Sequence, residues 1–408
     1  MRHKRGCDWM KYLVLLCDGM ADEPMEQLGG RTPLGFARTP EMDALAGMGQ
    51  MGLVHTVPEG MTPGSDVANL SVLGFDPRQN YSGRSPLEAL SVGVPMEEDD
   101  LILRCNLVTL TEAEPYAEKT ILDHSAGELT TAEADVLMDA IRAEFDSEEF
   151  RFYTGTGYRE IAVCRGGAMT ALEPPHDHLE QVIGPWLPGE EVLRRMMERS
   201  YEILNNHPIN LHRAAQGRHK ANSLWFWGPG RKPALENFRE KTGLRGAMIS
   251  AVDLLKGIAM GSGMEVLQVP GANGGLDTNY EGKAEAAVKA VLEDGFDFVY
   301  IHVEAPDEMG HMGSVDRKIQ AIENLDRRLL AIVRRKMDAS GEPYRLMVLP
   351  DHPTPVRLRT HTSNPVPYVI YDSTCQQRKI GRYSEQEAAL TGEYEPEGWR
   401  LMDTFLQL

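Results

Sequence analysis

The chain has 408 residues, of which 42% are hydrophobic and 25% charged, a composition typical of an ordinary folded protein with about two or three domains. Its formal net charge of −19 argues against a nucleic-acid-binding surface or an anchor on an anionic membrane. An anionic substrate stays compatible with this charge, because it needs only a local cluster of cations or a metal.

The N-terminal stretch MRHKRGCDWMKYLVLLCDGM carries basic residues before an apolar run, as a signal peptide does. The run is too short to span a membrane, and no small-residue cleavage site follows it. We therefore interpret residues 11–18 as a buried first strand that ends at Asp18. Residues 1–9 are expected to be a loose extension, with Met10 as a candidate for the natural start.

The stretch MTPGSDVANLSVLG at 61–74 places Ser65 and Asp66 directly after a Pro-Gly pair and before an apolar-periodic run. This pattern predicts that a helix begins here. Ser65 is then either an N-cap or a nucleophile placed where the helix N-terminus favours an anion. The nearby GMGQMG at 47–52 matches a dinucleotide fingerprint, but it follows a helix and precedes a strand, so we reject that function.

Residues 79–235 differ from the chain on either side of them. They contain predicted helices at 128–145 and 189–205, mixed strands and many Pro and Gly residues, and turn-rich stretches flank them. The simplest interpretation is a second, α+β domain inserted into a discontinuous first domain made of residues 1–78 and 236–408.

Two further apolar runs, at 296–307 and 344–352, end in acidic residues as the first strand does. Helical patterns at 280–294 and 314–337 alternate with them. Continuous apolar strands alternating with helices predict an α/β fold with a mainly parallel sheet and helices on both faces. Because ligands in such folds bind beyond the carboxyl ends of the strands, we expect one shared site there.

The polar residues at these strand ends are of the types that bind metal ions. Asp307 and His311 have a spacing that puts both side chains on one face of a helical turn. Each residue alone is more easily explained as a cap, a surface pair or a loop residue, but together they suit two divalent metals that clamp phosphoryl oxygens. The full set is Asp18, Ser65, Asp307, His311, Asp351, His352 and His361.

These motifs resemble those of the alkaline phosphatase superfamily and, more closely, of the archaeal-type cofactor-independent phosphoglycerate mutases. The resemblance extends through nearly all of the chain from Met10 onward. The stretches that carry it are LCDGMADEP, TPGSDVANLSVLG, ANSLWFWGPGRKP, DTNYEGKAEAA, HVEAPDEMGH and LPDHPTPVRLRTHTSNPVPY.

The resemblance implies a phosphatase-like metal domain that carries an inserted phosphotransferase domain. It also implies that Ser65 becomes a phosphoserine. One metal would be held by Asp18, Ser65, Asp351 and His352, and the other by Asp307, His311 and His361. Manganese is the favoured ion, with magnesium, zinc and cobalt left open, and no organic cofactor is expected.

The implied reaction interconverts 3-phosphoglycerate and 2-phosphoglycerate without 2,3-bisphosphoglycerate, in glycolysis and gluconeogenesis. The candidates for holding the anionic groups of the substrate are Arg84, Arg104, Arg159 and Arg231. Lys256 is expected near a leaving oxygen, and Asp123 and His124 are candidates for proton transfer. The alternative for each of these residues is a solvated surface side chain.

Other functions stay open on the sequence alone. The same metal–serine site could act on another phosphate ester, as a phosphatase, a different phosphomutase or the homoserine kinase proposed for relatives, although no P-loop is present. A metal-binding regulatory protein without turnover is a third hypothesis. The scattered, odd set of five cysteines indicates reduced thiols in a cytoplasmic protein. A small phosphorylated substrate is the expected partner, without nucleic acid or membrane, and a homo-oligomer is left open.

Overall fold

A computed structural model of the protein describes residues 10–375 and 381–407, so the extension predicted for residues 1–9 lies outside the described residues. The chain divides into two compact units. The first comprises Met1–Tyr81 and Ala234–Leu408, and the second comprises Ser82–Pro233. Over the residues that the structure covers, no helix combines the length and apolar character that a membrane span requires.

The strands of the described residues, in chain order, are β1 (Lys11–Cys17), β2 (Gln50–Val54), β3 (Leu101–Leu110), β4 (Ile121–Asp123), β5 (Phe150–Thr156), β6 (Arg159–Cys164), β7 (Ser223–Gly230), β8 (Gly246–Ile249), β9 (Glu265–Val266), β10 (Phe298–Val303), β11 (Tyr344–Leu349), β12 (Val366–Asp372) and β13 (Tyr394–Glu395).

The α-helices of the same residues are α1 (Pro33–Phe36), α2 (Pro40–Met48), α3 (Ser65–Val72), α4 (Pro77–Asn80), α5 (Arg84–Ser91), α6 (Thr131–Phe145), α7 (Glu191–Leu204), α8 (Pro208–Ala215), α9 (Phe238–Thr242), α10 (Asp253–Gly261), α11 (Tyr280–Leu292), α12 (Ala305–His311), α13 (Val315–Asn324), α14 (Ala331–Ser340), α15 (Glu385–Leu390) and α16 (Leu401–Leu406). A π-helical segment, Leu325–Leu330, joins α13 to α14.

The first unit is built on an eight-stranded sheet of order β13-β2-β12-β11-β1-β10-β8-β9. Strands β11, β1, β10, β8 and β9 are parallel, and β12 is antiparallel to both of its neighbours. In β1 every residue from Tyr12 to Cys17 is buried, because helices cover both faces. Leu13 and Leu15 join the core formed with α11 and α14, whereas Tyr12 packs on Phe405 of α16, with ring centroids 5.6 Å apart. The predicted α/β fold with a mainly parallel sheet is confirmed.

The register of the three central strands brings their carboxyl ends together. Cys17 pairs with Val303 of β10, and Leu16 pairs with Leu349 of β11. The residues that follow these strands therefore emerge side by side at one edge of the sheet. Asp18 is the first of them, and its backbone N–H donates to Val303 O at 3.0 Å.

Two predicted elements differ in extent from the observed ones. The apolar run at 296–307 is a strand only as far as Val303, after which α12 begins at Ala305 with Pro306 in its first turn. Asp307 and His311 are both on α12, as their spacing predicts. The helical pattern at 314–337 is α13, the π-helical segment and α14, and it ends at Ser340, where Gly341 adopts a φ of 72°.

The second unit has its own antiparallel sheet of five strands, in which β3 pairs with β4, β6 and β7, and β6 pairs with β5. All of β3 is buried. The helix predicted at 128–145 begins at Thr131, because Thr130 and Glu133 form a reciprocal capping box there. Residues of α6 and α7, including Leu137 and Met197, complete the apolar core of this unit.

Candidate active site

Ser65 is the first residue of α3, and the N-cap position belongs to Gly64. The Ser65 hydroxyl makes no capping hydrogen bond, so the alternative that Ser65 serves as an N-cap is wrong. Its Oγ instead lies 3.1 Å from Nε2 of His352. The neighbouring Asp66 is held by Tyr81, whose hydroxyl donates to Oδ2 at 2.7 Å. Ser65 therefore presents its hydroxyl to the histidine that follows β11.

Asp351 is fully buried and rigidly held. Its Oδ1 accepts the backbone N–H groups of Gly19, at 3.0 Å, and His352, at 2.9 Å. Its Oδ2 accepts the side-chain amide of Asn69 at 2.9 Å. Gly19 has a φ of 59°, and a Cβ at this position would lie 2.4 Å from Oδ1 of Asp307, so only glycine fits here.

The two carboxylate oxygens of Asp18 have different surroundings. Oδ2 is 2.9 Å from Nε2 of His302, while Oδ1 is buried, 3.6 Å from Nε2 of His352, and has no hydrogen-bond partner in the described part of the chain. Burial, and then the charge of Asp351, raise the pKa of Asp18 well above its ordinary value. Burial lowers the pKa of His302 to about 3, so its ring is neutral. A buried, unpaired carboxylate oxygen fits a cation.

Asp307 and two histidines form a second polar group. His311 Nε2 lies 3.2 Å from Asp307 Oδ2, and His361 Nε2 lies 3.5 Å from Asp307 Oδ1. The hydroxyl of Thr354 donates to Asp307 Oδ1. Burial would raise the pKa of Asp307, but the bonds to His311 and His361 lower it well below its ordinary value. The hydrogen bond to Asp307 raises the pKa of His311 to about 9.

These residues form two groups whose ligand atoms lie within 4.8 Å of one another: Asp307, His311 and His361, and Asp18, Asp307 and His352. Asp307 belongs to both. Asp351 is not part of either group, although its Oδ2 is 3.4 Å from His352 Nε2. Mixed carboxylate and imidazole donors are suited to divalent ions such as Mn²⁺ or Zn²⁺, so the residues present fit two metals.

Lys256 lies on α10 in the same unit, where its Nζ donates to Asp253 Oδ1 at 2.9 Å. Glu304, directly after β10, is a further buried acid. Burial raises its pKa to about 7, against the opposing charges of Lys283 and Lys256. Lys256 is thus one of two lysines whose charge acts on Glu304, the acid that follows β10.

In the second unit, the structure brings several of the predicted substrate-binding arginines together. Glu88 accepts a hydrogen bond from Arg84 Nε at 2.8 Å, and its other oxygen lies 2.9 Å from Arg104 Nε. That second contact is not aligned as a hydrogen bond, and Arg104 Nε has no such partner within the described ranges. The guanidinium of Arg104, only 4% exposed, packs 4.4 Å over the ring of Trp227. Burial lowers the pKa of Arg104 to about 10, and the nearby positive charge of Arg159 contributes.

His124 belongs to the same cluster. Its ring centroid lies 5.7 Å from Tyr158 and 5.9 Å from His176, and His176 packs on Trp227 at 5.2 Å. Burial lowers the pKa of His176, and the charges of the nearby arginines contribute. Aromatic and imidazole rings therefore line the arginine cluster.

Two predicted residues of this unit are engaged elsewhere. Two N–H groups of Arg231 donate to backbone carbonyls, those of Asp99 and Gly167. The carboxylate of Asp123 accepts the backbone N–H of Ser125 at 2.8 Å and contacts His219 Nδ1 at 2.9 Å. Most of these contacts join segments of the chain that are distant in sequence.

Comparison with known proteins gives the family. A Geobacter sulfurreducens protein described as a probable 2,3-bisphosphoglycerate-independent phosphoglycerate mutase is 49% identical over 403 residues, covering 97% of this chain and all of the relative. The chain belongs to the 2,3-bisphosphoglycerate-independent phosphoglycerate mutase family. The model of that family matches residues 46–210. A Methanosarcina acetivorans mutase is 46% identical over 388 residues, covering 94% of this chain and 96% of its own.

Solved structures agree with this membership. A Pyrococcus horikoshii protein matches with a TM-score of 0.79 and 29% identity over 98% of each chain. A cofactor-independent phosphoglycerate mutase from Thermoplasma acidophilum matches with a TM-score of 0.66 and 27% identity, over 98% of this chain and 99% of its own. The chain is therefore an enzyme of the phosphoglycerate mutase family, and the resemblance stated from its motifs is confirmed.

Three residues of the site were not predicted from the sequence. They are His302, which contacts Asp18; Asn69, which holds Asp351; and Thr354, which donates to Asp307. A signal exists for two of them. His302 interrupts an otherwise apolar buried strand, and Asn69 lies one helical turn after Ser65 on α3. Thr354 carries no such signal.

Proposed function

We propose that the protein interconverts 3-phosphoglycerate and 2-phosphoglycerate through a phosphoserine at Ser65, without 2,3-bisphosphoglycerate. The relatives at 46–49% identity bear the name of this reaction. The observation that carries the proposal is the position of Ser65 Oγ, 3.1 Å from His352 Nε2, at the start of a helix. His352 in turn belongs to a buried group of potential metal ligands.

We propose that two divalent ions are held here, one by Asp307, His311 and His361 and the other by Asp18, Ser65, Asp351 and His352. The unpaired Oδ1 of Asp18 and the mixed oxygen and nitrogen donors support this assignment. Manganese suits such a donor set. When bound, the ions would lower the pKa of a hydroxyl and neutralise phosphoryl charge.

The protein's own groups prepare Ser65 for a phosphoryl group. The side chain is at the first residue of α3, where the helix dipole favours the added negative charge. Asn69, one turn along, donates to Ser65 O at 2.8 Å and ties this turn to Asp351. Phosphate leaves the 3-hydroxyl for Ser65 Oγ, and the 2-hydroxyl of the re-oriented glycerate then takes it back.

The arginines of the second unit are proposed to bind anionic groups of the substrate. Glu88 contacts both Arg84 and Arg104, and the positive charge of Arg159 lies near Arg104, so this cluster is suited to binding a carboxylate or phosphate. His124, beside them, is the stronger candidate for proton transfer than Asp123, whose oxygens are occupied by Ser125, Gly127 and His219. Arg231 and Lys256 stay predictions for phosphate binding and for the leaving oxygen.

Location and assembly are also proposals. The cysteines in the described residues (Cys17, Cys105, Cys164 and Cys375) are unpaired, and this supports a reducing, cytoplasmic location. The expected partner is a small phosphorylated substrate. A homo-oligomer stays open.

The test is turnover of 3-phosphoglycerate by the purified protein with Mn²⁺ and without 2,3-bisphosphoglycerate. Wild type should form 2-phosphoglycerate, a chelator should abolish the activity, and S65A should be inactive. S71A is the matched control, since Ser71 is a buried serine of the same helix whose hydroxyl has no partner among the described residues. If S65A keeps the activity, Ser65 is not the nucleophile. If inorganic phosphate appears in place of 2-phosphoglycerate, the enzyme is a phosphatase.

A further inference from the structure

One oxygen of the Asp18 carboxylate is held by a histidine side chain. Asp18 Oδ2 contacts His302 Nε2 at 2.9 Å, while Oδ1 is left without a hydrogen bond and lies 3.6 Å from His352 Nε2. A carboxylate on a freely rotating side chain could present either oxygen, or both, to a cation. Here one oxygen is occupied, so only Oδ1 is free to face the ligand group that Asp18 forms with Asp307 and His352.

His302 is itself held at its other nitrogen. The Ser250 hydroxyl lies 3.1 Å from His302 Nδ1, and Ser250 Oγ accepts the Val252 N–H at 3.0 Å. When Asp18 binds a divalent ion it is a carboxylate and can only accept hydrogen bonds, so the proton of His302 must then be on Nε2, and Nδ1 accepts the Ser250 proton. Each group therefore donates a hydrogen bond to the next, from Val252 through Ser250 and His302 to Asp18.

Burial of the polar His302 ring is unfavourable, and its contacts with Asp18 and Ser250 offset the lost hydration. His302 is fully buried in β10, where the other residues from Phe298 to Val303 are apolar or aromatic. Lys283 Nζ, also fully buried, donates to the backbone carbonyl of His302 at 2.8 Å. A polar ring in the middle of a parallel sheet is unfavourable unless both of its nitrogens are satisfied, as they are here.

We infer that His302 is a positioning residue, which orients Asp18 so that a single oxygen, Oδ1, is available to a divalent ion, with Ser250 fixing the tautomer of the ring. The inference rests on the proposed metal site. It differs from that proposal in assigning a role to residues that do not bind the ion themselves. Residues that orient a metal ligand in this way typically contribute about 10–100-fold to metal affinity.

The experiment measures Mn²⁺ binding directly, by titrating the metal-free protein and following free Mn²⁺ by electron paramagnetic resonance. H302L removes the donor and should weaken one of the two sites by about 10–100-fold. H302Q can place an amide N–H near the position of Nε2 and should stay within about threefold of wild type. S250A should weaken the same site by roughly fivefold, the effect of one hydrogen bond. Circular dichroism of each variant reports whether it is folded.

Two further variants serve as controls. D18A sets the loss expected when the ligand itself is missing, and H178L removes a buried histidine of the second unit that stacks on Trp186 and should leave both sites unchanged. Wild-type affinity in folded H302L overturns the inference while leaving the metal site intact. If H302L does not fold, unchanged affinity in S250A, or a loss in H302Q as large as in D18A, overturns it equally. If wild type binds no Mn²⁺, the proposed metal site fails as well.

Discussion

Glu160 of β6 is a buried acid whose protonation should make the stability of the second unit depend on pH. The side chain is fully buried. Its Oε2 accepts the Gly155 N–H at 2.7 Å, and its Oε1 has no hydrogen-bond partner within the described residues. Burial raises the pKa of Glu160 from 4.5 to about 8, against the opposing effects of the Gly155 bond and the charge of Arg142, while Asp135 raises it slightly further.

The direction in which the free energy of unfolding changes with pH follows from proton binding. Between pH 4.5 and about 8 the folded state holds a proton on Glu160 that the unfolded chain releases, so the free energy of unfolding falls as pH rises. One pKa unit corresponds to about 1.36 kcal/mol, and the full window from pH 4.5 to about 8 therefore amounts to about 5 kcal/mol. E160Q cannot ionise and loses this dependence. Its stability relative to wild type should therefore increase by about 4 kcal/mol between pH 5 and pH 8.5, with a slope near 1.4 kcal/mol per pH unit.

The assay is urea unfolding of wild type and E160Q at pH 5, 6.5, 7.5 and 8.5, followed by tryptophan fluorescence. Trp186, Trp225 and Trp227 lie in the second unit and report its unfolding. E148Q neutralises an exposed glutamate of the same unit, and its free energy of unfolding should differ from that of wild type by the same amount at every pH. If the stabilities of E160Q and wild type also run parallel from pH 5 to pH 8.5, Glu160 is ionised in the folded state and the reasoning from burial is refuted.

Four more outcomes are expected. D22N should lose about 3–5 kcal/mol of stability in denaturant unfolding, because Lys318 Nζ, 2.8 Å from Asp22 and fully buried, is left without its counter-ion. The double variant D22N/K318M should recover much of that loss, and no recovery would contradict the ion-pair explanation. R104M should raise KM for 3-phosphoglycerate by at least about tenfold if Arg104 makes the proposed charge-assisted contact with the substrate, and an unchanged KM would exclude Arg104 from substrate binding. N69A should lower kcat by about tenfold or more by releasing Asp351 and the Ser65 turn, as steady-state kinetics at saturating Mn²⁺ would reveal. Free Mn²⁺ at 100 times its Kd should raise the free energy of unfolding by about 2.7 kcal/mol over the chelated protein, and no shift in the unfolding midpoint would argue against metal binding.

Sequence reasoning succeeded where the physical signal is local. Strands covered on both faces need apolar residues throughout, and this pattern of residue types identified β1, β10 and β11 from the sequence alone. The spacing of Asp307 and His311 likewise predicted one face of a helical turn, which α12 provides. The same reasoning placed the end of β10 too late, because Ala305 and Pro306 are apolar as strand residues are, although the backbone has already turned into a helix there.

Contacts between distant segments could not be predicted from the sequence. That Arg84 and Arg104 converge on Glu88 beside Trp227 follows from the pairing of β3 with β7, which brings Arg104 opposite Trp227. Asp123 and His124 are adjacent in sequence, yet Asp123 is held by its own loop and by His219, while the His124 ring joins the arginine cluster. Adjacent residues in a strand or turn point in different directions, and the sequence does not say which direction leads to the site.

The sequence by itself determined the α/β class and the family and offered a set of candidate metal ligands, because these depend on local periodicity and on sequence motifs. Only the tertiary structure decided that Asp307 is shared by both ligand groups, that Ser65 faces His352 and that His302 leaves one oxygen of Asp18 free. Those features depend on the order and register of β11, β1 and β10. Sheet order and register are set by packing over the whole domain, so no local pattern contains them.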